Sequence, residues 1–379
     1  MALAARLLPG RVAGILLTLF LASGIRAAEA AAFTPAQALD YTRAGDLHLS
    51  PDGKKLAYIV VSYPLDWTPR IRVLDVATGE AREITPAKKS DRSPQWSPDG
   101  KTLTFLSNRG GHTQVYVMPA DGGDATPLTS AKNGVSAYRW SPDGKSIAYL
   151  AKDDTAPSED DGPQVADDER QLERLWTIDI ASKNVTRLGE TGYRIDEFQW
   201  QNPSRILIAA SARPRVEEDI DAIYGISVPD GAIAKTGQPP LPFEDLMVSP
   251  DGKQFAVHAT RALGPEPRDL FVGTIGGNDL RDVSQSVDRA VVQMQWRGPS
   301  VIYMSVEDGF YTRLYKLAQD GKAEEIKLPL SIGAFDVAQN GAIAFVGEDF
   351  NHLEEIYLRA PDGTIRQLTH MQNVPVAAH

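Results

Sequence analysis

The chain has 379 residues, of which 42% are hydrophobic and 23% charged, the balance of a globular protein holding two or three domains or one large all-β domain. A formal charge of −11 repels a phosphate backbone and argues against nucleic acid as a partner. The absence of cysteine excludes a disulfide framework, a thiolate metal site and a cysteine nucleophile together.

In chain order, residues 1–30 read as a secretory signal. Arg6 and Arg11 supply the positive start, Val12 to Ile25 the apolar stretch, and Ala28-Glu29-Ala30 the small-x-small cleavage pattern. That stretch is shorter than the roughly 20 residues a bilayer span needs. The expectation is an exported protein, periplasmic or secreted, with no membrane span after cleavage.

Behind a lead-in over residues 31–45, one unit recurs. Ser-Pro-Asp-Gly-Lys begins at Ser50, Ser97, Ser141 and Ser249, and worn copies stand at Gln201, Arg297 and Ala338. Proline at the second position and glycine at the fourth suit a type I turn closing on a left-handed residue, the connection of a tight β-hairpin. After each turn comes a short apolar run: LAYIVV, LTFLS, IAYLA, ILIAA, FAVHA, VIYMS and AIAFV. These runs are nearly continuous rather than alternating, as for strands covered on both faces. A second landmark recurs seven times as well, a turn further along each unit at Gly79, Gly122, Lys183, Gly231, Gly276, Gly321 and Gly363. Four short antiparallel strands per unit at a fixed period predict a seven-bladed β-propeller over residues 46–369.

The first unit begins with its own inner strand at Asp46–Leu49 and the last ends with its own outer strand at Ile365–Thr369. No strand is left to exchange, so the ring is expected to close without a strand swap, by side-chain packing alone. Two insertions break the period: an acidic one at 152–173 in blade three, whose second half has the pattern of a short helix, and a smaller one at 212–220 in blade four. Insertions in repeat proteins gather on a binding face, although a solvated acidic loop accounts for the first equally well.

Catalytic patterns are missing. Gly144-Lys145-Ser146-Ile147-Ala148 lacks the last glycine of a nucleophile elbow and sits in a hairpin turn. His48, His112, His258, His352, His370 and His379 are never three to five residues apart, so no metal-ligand spacing is present. The inventory predicts no catalytic residue, metal or cofactor in the chain.

The segment Ser107-Asn108-Arg109-Gly110-Gly111, with Gln114 to Val117 and Leu128-Thr129 after it, resembles the propeller repeats of two exported groups. These are the prolyl oligopeptidase family of serine peptidases, especially acylaminoacyl- and dipeptidyl-peptidase-like bacterial members, and the TolB translocation protein. TolB places an α/β domain before a six-bladed propeller, whereas here a short lead-in precedes seven units. The start at Phe33-Thr34-Pro35 and the end at Arg366 to Met371 also resemble the peptidases. The resemblance implies a propeller that gates access of peptides to an α/β-hydrolase domain. That domain would begin where this chain stops, with residues 370–379 as the tail at the junction, and its triad has no positions here. In dipeptidyl-peptidase members a glutamate pair holds the substrate's amino terminus, a part that would fall to Glu217 and Glu218. The partners implied are a peptide or protein and a separate hydrolase domain. The competing reading is a stand-alone TolB-like platform for a protein or peptide partner, and an enzyme acting in the central channel is a third.

Overall fold

The computed structural model describes residues 41–63, 66–86, 89–154, 172–189, 192–212, 222–239, 242–260, 268–318 and 320–372. Seven four-stranded sheets follow one another along the chain, each antiparallel and each built from four consecutive strands. They form a seven-bladed propeller with no helix among the described residues. The first sheet runs from Thr42–Leu49 to Ala81–Glu83 and the last from Ser331–Val337 to Ile365–Gln367, so no strand crosses between them.

Local chemistry explains why the repeated pentapeptide makes the first hairpin of a blade. In blade one, Ser50 Oγ donates to Asp52 Oδ1 at 2.7 Å and accepts the Lys55 N–H at 2.9 Å, while Asp52 Oδ1 also accepts the Lys54 N–H. Gly53 takes φ of 71°, a conformation that costs a residue with a Cβ. The same bonds recur around Ser97, Ser141 and Ser249. Lys183 holds a left-handed φ of 62° where most of the other second hairpins place glycine.

The second strand of each blade is the most deeply buried, as its apolar run requires; Leu103 to Ser107 are all buried. Apolar clusters fill the spaces between blades rather than the axis of the ring. Two polar signatures brace this core. Arg109 lies over the neighbouring rings of Phe105 and Tyr116, 5.1 and 5.0 Å from their centroids, and pairs with the fully buried Asp91. Two residues beyond the outer strand of four blades a Thr or Ser accepts a third-strand N–H: Thr85 from Ile71, Thr129 from Val115, Ser284 from Leu270 and Thr369 from Ile356. The Leu-Thr pair in the sequence is therefore a side-chain continuation of the ladder. It also explains why the last strand stops at Gln367 and not at the expected Thr369.

The junction of blades one and seven differs from expectation. The first strand starts at Thr42, four residues earlier than the apolar pattern indicates, and pairs through to Ser62 across a bulge. An apolar cluster spans the seam, with Leu47, Leu56 and Tyr58 on one side and Ala344, Val346 and Leu358 on the other. Packing does not act alone. Gln372 Nε2 donates to the carbonyls of Thr42 and Glu354 at 2.6 and 3.0 Å, and its Oε1 accepts the Thr42 N–H. The Glu354 carboxylate accepts from Arg43 and from the Ala44 N–H, and buried Asp336 accepts the Leu49 N–H at 2.5 Å. With no strand to exchange, side chains supply the bonds that a swapped strand would have made.

Candidate functional site

Counting back from each hairpin turn shows how the inner strands build the channel. The residue just before the turn is Leu49, Trp96, Trp140, Trp200, Val248, Trp296 or Val337, and the one before that is His48, Gln95, Arg139, Gln199, Met247, Gln295 or Asp336. Side chains alternate across a strand, so the first set leans on the preceding blade and the second on the following one. Trp96 Nε1 donates to the His48 carbonyl at 2.8 Å and Trp200 Nε1 to that of Arg139 at 3.1 Å. Trp140 Nε1 reaches Thr104 Oγ1, which in turn donates to the Gln95 carbonyl. In the other direction Gln95 donates to the Tyr138 carbonyl and Gln295 accepts the Val337 N–H. Glu197, one layer deeper, accepts the N–H groups of Asp245 and Leu246 at 2.7 Å each. Burial raises the Glu197 carboxyl above its usual range, against the pull of those two donors.

Asp46, Ser93 and Asp245 occupy equivalent places and all take left-handed φ, between 49° and 58°. Each lies at a bulge of its inner strand, which turns the following residues toward the channel. On the side of the Ser-Pro-Asp-Gly turns the channel widens into an open cavity of about 650 Å3, walled by Pro51, Pro98 and Pro250 and by the ring of second residues.

The opposite face carries the connections between second and third strands and those between blades. Both ends of the described chain emerge there, joined by the Thr42–Gln372 bonds. Exposed aromatic side chains collect on it across the seam. Phe310 and Phe350 cap neighbouring turns of blades six and seven with 91% and 84% of their surface free. Tyr311 packs edge-on against Phe350, its ring under Arg313, and a cleft of about 240 Å3 with Ser331 and Glu348 lies beneath. In blade one, Tyr41 stacks on Tyr63, which meets the exposed Trp67 edge-on.

Both insertions noted in the sequence fall, in chain order, between the second and third strands of their blades. Glu217 and Glu218, the helical pattern in residues 165–174 up to Gln171, and residues 1–30 lie outside the described residues. One grouping escaped every spacing rule. Glu244, Asp245 and His258 bring potential metal-ligand atoms within 4.8 Å of one another. Glu244 and His258 face each other across neighbouring strands, and the bulge swings Asp245 round to within 2.9 Å of His258 Nδ1. The carboxylate of Glu244 is already paired with Arg268, so the grouping is accounted for by that ion pair and by the Asp245–His258 hydrogen bond.

Comparison with known proteins follows this geometry. Residues 45–160 match the TolB beta propeller domain. An uncharacterized peptidase YuxL of Bacillus subtilis is 37% identical over 81 residues, 20% of this chain and 12% of that protein. The chain thus spans only a small part of the curated relative it matches. Among solved structures, the propeller domain of the Trilobed protease from Pyrococcus furiosus superposes with a TM-score of 0.68 at 18% identity, covering 90% of this chain and 99% of that one. That domain is described as having an open velcro topology. Pyrococcus horikoshii acylaminoacyl peptidase gives 0.67 at 21% identity, covering 89% of this chain and 53% of that one. At such identities the likeness is one of fold. Residues 45–160 are thus similar to the TolB beta propeller domain, within a seven-bladed ring whose structural neighbours include the propellers of peptidases.

Proposed function

We propose that this chain is an exported, non-catalytic recognition propeller that serves a serine peptidase of the prolyl oligopeptidase type, presenting peptides to an α/β-hydrolase domain on its terminal face. One observation carries the reading: both ends of the described chain and the exposed aromatic groups share that face. A clustered exposure of large apolar side chains marks a surface that something covers. Export is supported by the signal-like residues 1–30. Non-catalytic status is supported by the lack of a nucleophile elbow and by the commitment of the channel's acids to partners within the ring. Glu217 and Glu218, which lie outside the described residues, are the pair we assign to the peptide's ammonium group on the resemblance to dipeptidyl-peptidase propellers.

The match of residues 45–160 to the TolB domain favours a second reading, a stand-alone platform that holds a protein on the same face. Two assays separate the possibilities. Purified chain should turn over no peptide amide or ester, and should bind fluorescent unstructured peptides saturably, with loss in a Phe310→Ser/Phe350→Ser variant. Turnover abolished by a substitution within the chain overturns the non-catalytic reading, and absence of saturable binding overturns peptide recognition. An α/β-hydrolase domain recovered in equal amounts with the chain selects the first reading; a non-enzymatic protein bound at Phe310 and Phe350 selects the second.

A further inference from the structure

The cleft at Phe310 and Phe350 lies between two turns built alike. In blades six and seven the connection from second to third strand runs Glu307-Asp308-Gly309-Phe310 and Glu348-Asp349-Phe350. Each turn carries its phenylalanine at the tip, 91% and 84% exposed. Single exposed apolar residues are ordinary, but large ones gathered at one place mark a contact surface.

The charged groups of the two turns divide into committed and free. Asp308 is shared by Arg289 at 3.2 Å and Arg313 at 3.9 Å, and the Arg313 guanidinium lies over the Tyr311 ring. Asp349 is taken up by its own turn, accepting the N–H groups of Asn351 and His352 and meeting the His352 ring. Ser331 Oγ accepts the Thr312 N–H. Glu307 and Glu348 are exposed, and neither carboxylate has a hydrogen bond or ion pair among the described residues. The field of Glu348 reaches Glu354, a further carboxylate whose counter-charge is Arg43. Even with His352 protonated, two arginines and one histidine face four carboxylates on these turns, so the excess charge is negative. Of the two free carboxylates, Glu348 belongs to the cleft lining.

We infer that this cleft takes the basic side chain of a peptide, arginine before lysine. The inference rests on the reading that the terminal face receives peptides, and it names the residue such a peptide carries. The guanidinium plane lies on the phenyl faces of Phe310 and Phe350, as that of Arg313 already lies over Tyr311, and its N–H fork meets the Glu348 carboxylate. The methylene groups of the stem cover phenyl surface that is otherwise open to water. A volume of about 240 Å3 is below the roughly 300–1,000 Å3 of small-ligand pockets. The cleft therefore suits one side chain of a longer ligand rather than a free small molecule. A basic peptide is also drawn toward a chain of net charge −11.

The test titrates the full chain into fluorescent, N-acetylated and C-amidated peptides of one Gly/Ser/Leu background that differ at a central residue: arginine, lysine, citrulline or glutamate. Blocked ends keep the peptide's own ammonium and carboxylate out of the measurement, and citrulline keeps the shape of arginine without its charge. By fluorescence anisotropy the arginine peptide should bind at least about fivefold more tightly than the citrulline one, with lysine between them and glutamate weakest. Glu348→Gln, at an exposed position, should remove most of that preference. Glu307→Gln, outside the cleft lining, should remove less. Equal binding of the arginine and citrulline peptides overturns the inference and leaves peptide recognition standing. So does a preference untouched by Glu348→Gln, or one that Glu307→Gln lowers as far, since it then comes from overall charge. No saturable binding of any peptide at about 1 mM, the weak end of specific affinities, overturns both readings.

Discussion

Gln372→Ala is the sharpest probe of how the ring closes. The side chain makes two bonds across the seam, from Nε2 to the Thr42 carbonyl and from the Thr42 N–H to Oε1, and a third within blade seven, from Nε2 to the Glu354 carbonyl. A protein hydrogen bond contributes about 0.5–1.5 kcal/mol net. Partial exposure lets water replace some of the loss, so the three together amount to about 2 kcal/mol. Gln95→Ala is the matched control: one glutamine-to-carbonyl bond, 3.1 Å to Tyr138, at a junction the chain itself crosses, and about 1 kcal/mol by the same reckoning. Urea unfolding followed by tryptophan fluorescence should show both midpoints falling at unchanged m, with the larger fall for Gln372→Ala. Gln372→Glu should fall further, since it removes both donors and sets a carboxylate beside the Glu354 carbonyl and close to the Glu354 side chain. If Gln372→Ala costs no more than Gln95→Ala, side-chain bonds do not hold the seam and the apolar cluster alone does.

Arg109→Ala leaves the carboxylate of fully buried Asp91 without its counter-charge and should cost about 3–5 kcal/mol; Asp91→Asn/Arg109→Met should recover much of that, read by the same urea curves. Acid should act in two phases. Burial raises the carboxyls of Glu197 and Glu354, so the folded state gains protons first and stability holds or rises as pH falls toward about 4.3. The turn aspartates Asp52, Asp99 and Asp251 are held below their usual range, chiefly by the serine hydroxyls. Their contribution is complete above about pH 3.9 and is lost as pH falls through their lower folded values; melting temperature against pH reads both limbs, and a monotonic fall from pH 6 refutes the first. Phe310→Ser and Phe350→Ser, at side chains 91% and 84% exposed, should change stability by less than about 0.5 kcal/mol in thermal melts, whatever they do to binding.

The blades were legible because their signals are local. Ser50, Asp52 and Gly53 satisfy one another within five residues, and the strand after them is apolar for its whole length. The order of strands in the first and last blades likewise followed from where the pattern begins and ends. What the pattern did not carry depends on residues far apart in the chain. Thr42 and Gln372 are separated by 330 positions, and neither is a residue type that announces a contact. The left-handed bulges at Asp46, Ser93 and Asp245 were hidden because nothing in the sequence distinguishes an aspartate that turns a strand from one that merely faces water. The tryptophans at 96, 140, 200 and 296 were visible as a periodic set; that Trp296 lacks an indole acceptor among the described residues follows only from the neighbouring blade, where Met247 stands.

Six of the seven junctions between blades are crossed by the polypeptide, and the seventh is not. Tension applied to the two ends of the described chain would reach that seventh junction first, with no connecting loop to stretch. Thr42 and Gln372 lie at the edge of the seam, so a pull along their separation would break their bonds one at a time, like a zip, while the other junctions stay unloaded. Anything joined to those ends would have mechanical access to a ring that can part at one place and reclose without untangling a strand.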